Sequence, residues 1–109
     1  MTKYLLLYRA TTSAQDQMAS STPEQAQAGM DAWTAWAERA GSAVLDLGAP
    51  MMTVSTVGDD AAQSGSLGGY SLVEAESADA LDSLLDGHPH LMMDGAAIEV
   101  CELLSMPGS

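Results

Sequence analysis

Residues 3–9, Lys-Tyr-Leu-Leu-Leu-Tyr-Arg, form the stretch of sequence that decides the fold. Successive side chains of a β-strand point to opposite faces of the sheet, so Leu5 and Leu7 share one face, while Leu6 and the two tyrosines share the other. Both faces of this segment are therefore apolar. We expect a central strand that is covered on both sides.

The sequence Thr-Pro-Glu-Gln at residues 22–25 is typical of a helix start. The threonine can cap the helix, the proline suits its first position, and the glutamine completes a capping box. The predicted helix runs to Ala40, because Gly41 is a favoured residue just past a helix end.

Apolar residues recur at helical spacing within this helix and predict its buried stripe. The stripe consists of Ala26, Met30, Trp33 and Ala37. Trp36 lies beside it, toward a flank. For both tryptophans the pattern favours core packing over stacking on a ligand.

The rest of the chain alternates further strands with a second helix. The predicted segments are strands at 43–47, 67–75 and 97–104, a weaker strand or arm at 51–57, a turn-rich connection at 58–66, and a helix that Ser77 caps and Gly87 ends. Gly68 and Gly69 indicate a bulge or a close backbone approach. The resulting βαββαβ order predicts one ferredoxin-like α+β domain over residues 1–109, with both helices on one face of an antiparallel sheet.

Two helices can cover one face of such a sheet, yet the strands carry apolar residues on both faces. The uncovered face would expose a patch near or above the ~300–600 Å² that is usual for monomers. We therefore expect a homodimer, in which a second copy covers this face.

The composition excludes several classes of partner. The 109 residues carry a formal net charge of -12, from 15 acidic and 3 basic residues. Such a surface repels nucleic acid and anionic membranes. The single cysteine, Cys101, cannot form an internal disulfide, and the sequence shows neither a signal segment nor a membrane span. We expect a cytoplasmic location.

Several segments, in order, resemble the YCII-related proteins, including the branch named after a DGPF motif. They are KYLLLYR, MDAWTAWAERAG, GGYSLVEAESADAL, LLDGHPHL and IEVCELLSMPG. The resemblance spans nearly the whole chain. It implies a dimeric α/β barrel, in which two ferredoxin-like sheets pack face to face.

The resemblance leaves the activity, and even whether the protein is an enzyme, open. Some members of the family are similar to muconolactone isomerases, and a dehydrochlorinase of chlorinated muconolactones looks related. This implies acid–base chemistry without a cofactor on a small lactone- or ketone-like metabolite. Many members of the DGPF branch are encoded beside extracytoplasmic-function sigma factors. The alternative is therefore a non-enzymatic module that binds a ligand or a protein, in sigma-factor regulation.

Classical members of the family have a proposed pair of site residues, and this sequence departs from it. The pair is a histidine on the first helix and an aspartate before a proline after the second helix. Here Asp31 lies in the region that matches the histidine, and His88 precedes the proline. A swapped pair of Asp31 and His88 is one alternative. The segment GDDAAQSGS takes the place of the DGPF motif.

His88 and His90 are the two histidines of the chain, separated by Pro89. Because a proline favours an extended conformation at the residue before it, both imidazoles could point to one side. Asp46, Asp86 and Asp94 are carboxylates that could orient them, and we name His88, His90 and Asp46 as the candidate catalytic residues.

Four interpretations of this histidine pair stay open. The segment is a polar loop, a structural hydrogen-bonding element, a site of general acid–base catalysis, or part of a metal site. No third metal ligand stands at a recognisable spacing. No motif for a cofactor is present, so we expect neither a metal nor a cofactor.

Arg9 and Arg39 are two of the three cationic residues. Either could bind the carboxylate of a substrate, or it could form a surface ion pair with one of the many acidic residues.

Overall fold

The computed structural model describes residues 1–11, 19–58, 67–93 and 95–106. Its strands and helices are β1 (Thr2–Arg9), α1 (Pro23–Ala40), β2 (Val44–Asp46), β3 (Leu67–Ala75), α2 (Ala78–Leu85) and β4 (Ala97–Glu102). The strands form one antiparallel sheet in the order β2-β3-β1-β4. This is the predicted ferredoxin-like α+β fold. The predicted connection at 58–66, apart from Gly58, and the carboxylate of Asp94 lie outside the described residues.

Local hydrogen bonds fix both helix starts as the sequence predicts. The hydroxyl of Thr22 accepts from the backbone N–H of Gln25 at 3.1 Å, and the side chain of Gln25 accepts from the backbone N–H of Thr22 at 2.9 Å. The hydroxyl of Ser77 accepts from the N–H of Ala80 at 3.1 Å. Each bond satisfies a backbone donor that the first turn of a helix leaves free.

The paired glycines of β3 form the predicted bulge. Tyr8 lies opposite Gly69, while Arg9 lies opposite Leu67, so Gly68 is an extra residue on β3. A Cβ atom on Gly69 would lie 3.1 Å from the carbonyl oxygen of Ala49. The predicted close backbone approach is therefore also confirmed, at the end of β1 where Tyr8 stands.

The edge regions of the sheet are shorter than predicted. Residues 51–57 form no strand; a bridge between Pro50 and Gly69 and a 3.1 Å hydrogen bond from Met51 to Gly68 attach the start of this arm. The last strand ends at Glu102 instead of 104. Pairing ends early because both segments lie at edges of the sheet, where an outer neighbour is missing among the described strands.

The core lies between the sheet and the two helices. Its buried apolar side chains are Tyr4, Leu6, Tyr8, Trp36, Val73, Ala75 and Leu81. The predicted stripe of α1 is partly wrong: Trp36 is 3% exposed, whereas Met30 is 67% exposed. The reason is that α2 has only 8 residues and its last turn contacts the second half of α1, through Trp36 and Arg39, while residues 23–31 are exposed.

The opposite face of the sheet carries half-buried apolar side chains and no described helix. Leu5, Leu7, Tyr70 and Leu72 lie on it, because they alternate with the buried residues of β1 and β3. This agrees with the two-sided pattern of the central strand. Among the described residues, no helix is long and apolar enough to cross a membrane.

Candidate functional site

His88 is fully buried (0% exposed), directly after α2 and Gly87. It precedes a short 3-10 helix, Pro89–Met92, with φ -59° and ψ 135°. This is the extended conformation that the following proline favours. Its ring nitrogen Nδ1 accepts a hydrogen bond from the backbone N–H of His90 at 3.1 Å, which closes the turn around Pro89.

The other nitrogen of His88 begins a chain of hydrogen bonds through the core. Nε2 lies 3.2 Å from the hydroxyl of Tyr8, the Tyr8 hydroxyl donates to Ser71 at 2.8 Å, and the Ser71 hydroxyl donates to the carbonyl of Leu47 at 2.5 Å. Because Tyr8 gives its one proton to Ser71, Nε2 of His88 must be the donor to Tyr8. His88 is therefore neutral, with its proton on Nε2.

Burial shifts the pKa values of both ring partners away from neutrality. It lowers the pKa of His88 from 6.5 to about 4, and the electrostatic effects of the neighbouring His90 and Arg39 act in the same direction. It raises the pKa of Tyr8 to about 12, although the hydrogen bond with Ser71 acts in the other direction. Since both nitrogens of His88 are occupied and its pKa is low, the geometry favours a structural hydrogen-bonding role for this residue.

His90 has the opposite arrangement, with one nitrogen held and one open. Its Nε2 lies 2.9 Å from the carbonyl oxygen of Arg9 and 3.1 Å from that of Ala97, two residues that pair across β1 and β4. Carbonyl oxygens only accept, so the proton of the neutral imidazole is on Nε2.

Within the described part of the chain, Nδ1 of His90 has no hydrogen-bond partner. Every buried side-chain nitrogen or oxygen in that part has one, so Nδ1 is accessible. A neutral His90 therefore presents a lone pair at the surface.

Five rings pack against one another and are here named the aromatic cluster: Tyr8, Trp33, Trp36, His88 and His90. The centroid of the Tyr8 ring lies 5.2 Å from that of His88 and 5.1 Å from that of His90. Trp33 packs edge-on against Tyr8 at 5.0 Å and against His88 at 4.8 Å. The ring centroid of Trp36 lies 4.3 Å from that of His88. The two predicted histidines thus converge on one tyrosine.

The two tryptophans differ in the state of their indole N–H. That of Trp36 donates to the carbonyl of Leu84 at 3.0 Å, in the last turn of α2. That of Trp33 has no partner among the described residues, and by the same argument it is accessible. Trp33 is half-buried and therefore presents both a ring surface and a free donor.

Asp46 lies apart from the histidines. Its Oδ1 accepts from the backbone N–H of Gly48 at 2.9 Å, and its Oδ2 accepts from the hydroxyl of Tyr70 at 3.4 Å. Tyr70 belongs to the open face of the sheet, whereas His88 lies on the helix face. The structure brings His88 and His90 together and leaves Asp46 on the other side of the sheet; its catalytic role stays a prediction.

The swapped pair of Asp31 and His88 does not form. Asp31 is exposed and accepts a hydrogen bond from the side chain of Gln27 at 2.9 Å, one turn earlier on α1. Within the described residues, no group of three or more His, Cys, Asp or Glu side chains could hold a metal ion.

Sequence reasoning missed Tyr8, Ser71 and Trp33 as members of the site. Tyr8 and Ser71 lie in apolar strands, where alternation predicts only burial. The available signal is that Ser71 faces the core within β3, since a buried hydroxyl needs a hydrogen-bond partner.

No protein-family model matches the chain, and no curated protein matches it significantly. One similar solved structure is 5-chloro-2-hydroxyhydroquinone dehydrochlorinase of Burkholderia phenoliruptrix AC1100, in complex with 2,5-dihydroxybenzoquinone. It is 20% identical, with a TM-score of 0.51, and the match covers 89% of this chain and 90% of that chain. At this identity the likeness shows a shared fold.

Proposed function

We propose that this protein is a cytoplasmic homodimeric enzyme that moves a proton on a small cyclic compound, lactone- or ketone-like, with His90 as the acid–base group. One observation carries the proposal: among the described residues, Nδ1 of His90 is unpaired and accessible, while Nε2 is held by two carbonyls. Imidazole is the side chain most often used for general acid–base catalysis. The held Nε2 fixes both the orientation of the ring and the position of its lone pair.

The neighbouring residues supply the other parts of such a site. Nδ1 of His90 takes a proton from a carbon beside a carbonyl group, and the electron pair of the broken C–H bond forms an enolate. The free indole N–H of Trp33 then donates to the oxygen that gains the negative charge. Return of the proton at a second carbon completes an isomerisation, and His90 is neutral again.

His88 acts as a positioning residue in this scheme. It donates to Tyr8, and the ring of Tyr8 packs against both His90 and Trp33. Because its pKa is about 4, His88 stays neutral near pH 7, so its hydrogen bonds to Tyr8 and to the backbone of His90 do not change there.

The composition of the site supports a flat, oxygen-bearing substrate. The half-buried Trp33 provides a ring surface, and its indole N–H and Nδ1 of His90 are a donor and an acceptor without a partner among the described residues. The structural neighbour is a dehydrochlorinase of a chlorinated hydroxyhydroquinone, and its complex holds 2,5-dihydroxybenzoquinone. Both compounds are small rings with several oxygen atoms, which supports the same class here.

The open face of the sheet supports the homodimer. Leu5, Leu7 and Leu72 line it, and no described element of the chain covers them. A second copy that packs sheet against sheet removes this apolar surface from water.

The test is deuterium incorporation from heavy water into a panel of cyclic ketones, lactones and hydroxyquinones, followed by NMR. We expect the wild type to catalyse exchange beside the carbonyl of at least one compound. His90→Gln should lose this activity, while Glu24→Gln, on the exposed first turn of α1, keeps it.

Equal exchange by His90→Gln and the wild type would contradict the assigned role of His90. Binding of a panel member without any exchange by the wild type would instead favour the non-enzymatic module. Absence of both binding and exchange would overturn the substrate class.

A further inference from the structure

A shallow groove of 270 Å³ lies on the outer side of the aromatic cluster, between α1 and the segment that follows α2. Ala32 and Ala35 line it on α1, and Gly87 and Met92 line it on the other side. Three of these four residues are small, which leaves room above the buried ring of Trp36. The charged residue of the lining is Arg39.

Arg39 is held in place without being neutralised. Its Nη2 donates to the carbonyl oxygens of Asp86 at 2.8 Å and Leu84 at 3.3 Å, at the end of α2. No carboxylate of the described residues lies within ion-pair distance of it, whereas Arg9 pairs with Glu99 at 2.7 Å. Carbonyl groups satisfy N–H donors but leave the positive charge without a counter-ion.

The other nitrogens of Arg39 are free for a ligand. Nε and Nη1 have no hydrogen-bond partner within the described part of the chain. Nη1 lies 3.8 Å from the point where a Cβ of residue 87 would stand, and Gly87 has none. A glycine is required there by its positive φ of 72°, and its lack of a side chain leaves Nη1 open.

We infer that this groove binds the carboxylate of a small apolar acid, with Arg39 on the carboxylate and the ring or chain above Trp36. A guanidinium with free N–H groups is the usual partner of a carboxylate. A monoanion fits better than a phosphate dianion, because the chain carries a net charge of -12. The volume suits a molecule of about one ring, since it lies just below the ~300 Å³ of small ligand pockets.

This site is separate from the one proposed for His90. The tilted rings of Trp36 and His88, with centroids 4.3 Å apart, lie between the groove and Tyr8. The inference therefore does not rest on the proposed reaction, and its test can fail while that reaction stands.

The test uses benzoate and its uncharged analogue benzamide as probes of the full chain. NMR follows the indole N–H signals of Trp36 and Trp33 during each titration. We expect benzoate to shift the Trp36 signal, with an affinity at least about tenfold above that of benzamide.

Two variants and one control distinguish the effect of the Arg39 charge from the effect of the space in the groove. Arg39→Gln should lower the affinity for benzoate about tenfold and leave that for benzamide unchanged. Ala35→Leu fills the groove and should abolish binding of both probes, while it keeps the bonds of Arg39 to α2. Arg9→Gln removes a cation elsewhere and should change neither affinity.

The inference is overturned if benzoate at up to about 10 mM shifts no indole signal. It is equally overturned if benzoate binds the wild type and Ala35→Leu alike, or if it shifts Trp33 instead of Trp36. Should Arg39→Gln fail to fold, because it loses its bonds to α2, Ala35→Leu decides the outcome.

Discussion

The hydroxyl of Tyr8 lies 3.2 Å from Nε2 of His88, although 80 positions in the chain separate the two residues. This bond connects the central strand to the turn after α2. This bond and the bond from Tyr8 to Ser71 are polar contacts in the middle of an otherwise apolar core. Buried polar groups that satisfy one another in this way hold a unique arrangement, because any shift leaves one of them unpaired.

Replacement of Tyr8 by phenylalanine tests this chain of bonds. The ring still packs, but the buried donor of His88 loses its partner, and the hydroxyl of Ser71 loses the donor of Tyr8 while it keeps its bond to the carbonyl of Leu47. We expect a loss of about 1–3 kcal/mol in the free energy of unfolding, measured by urea titration. Tyr70→Phe is the matched control: its hydroxyl lies 3.4 Å from the exposed Asp46, so its loss should be below about 0.5 kcal/mol. Equal losses in the two variants would contradict the buried chain.

The stability of the protein should depend on pH through His88. Its pKa is 6.5 in the unfolded chain and about 4 in the fold, so below pH 6.5 the unfolded state takes up the proton first. The free energy of unfolding therefore falls as the pH drops from 6.5 toward 4, by on the order of 3 kcal/mol over the whole window.

His88→Gln lacks this contribution and serves as the comparison. Urea titrations at about pH 7 and about pH 4.5 should show a smaller loss for the variant than for the wild type, since the carboxylates contribute equally to both. Parallel losses would show that His88 is charged, or not buried, in the fold.

The sequence predicts the parts of this fold that depend on near neighbours. The capping box of Thr22 and Gln25, the cap at Ser77 and the bulge at Gly68 each follow from residues within a few positions of one another. Pro89 correctly predicts the extended conformation of His88, but His90 lies in the short 3-10 helix that follows, so the two rings do not converge through the extended segment that the sequence suggests.

The contacts of the site join segments that are far apart in the chain, so local sequence patterns do not predict these contacts. The pairing of Tyr8 with Ser71 and His88 requires the register of β1 with β3 and the position of α2. Asp46 was a reasonable partner by residue type, but its place on the open face follows from the strand order. The choice of Trp36 over Met30 as the buried residue of α1 depends on how far α2 reaches.

That choice gives a third prediction. Trp36→Ala should lower the free energy of unfolding by about 3–5 kcal/mol, because it leaves a cavity between α1 and His88 and removes the hydrogen bond of the indole to the carbonyl of Leu84. Met30→Ala, at an exposed position of the same helix, should change it by less than about 0.5 kcal/mol. Denaturant titration of both variants measures the difference. A similar loss for Met30→Ala would show that Met30 is buried, as the helical spacing alone predicts, and would contradict its exposed position.

The dimer is tested by the mass of the protein in solution. We expect light scattering to give twice the mass of one chain at micromolar concentration. Leu7→Asp puts a charge on the open face of the sheet and should shift the mass to that of a monomer. Met30→Asp, a charge at an exposed position of α1, should leave the dimer intact. A monomer mass for the wild type would contradict the proposed sheet-to-sheet contact.

The central claim is that His90 carries its proton on Nε2 and offers the lone pair of Nδ1 to a substrate. Nitrogen-15 NMR of the imidazole rings measures this directly. We expect both rings to carry their proton on Nε2, and ligands active in the exchange assay to perturb Nδ1 of His90 alone. A proton on Nδ1 of His90, or a ligand response confined to His88, would contradict this claim.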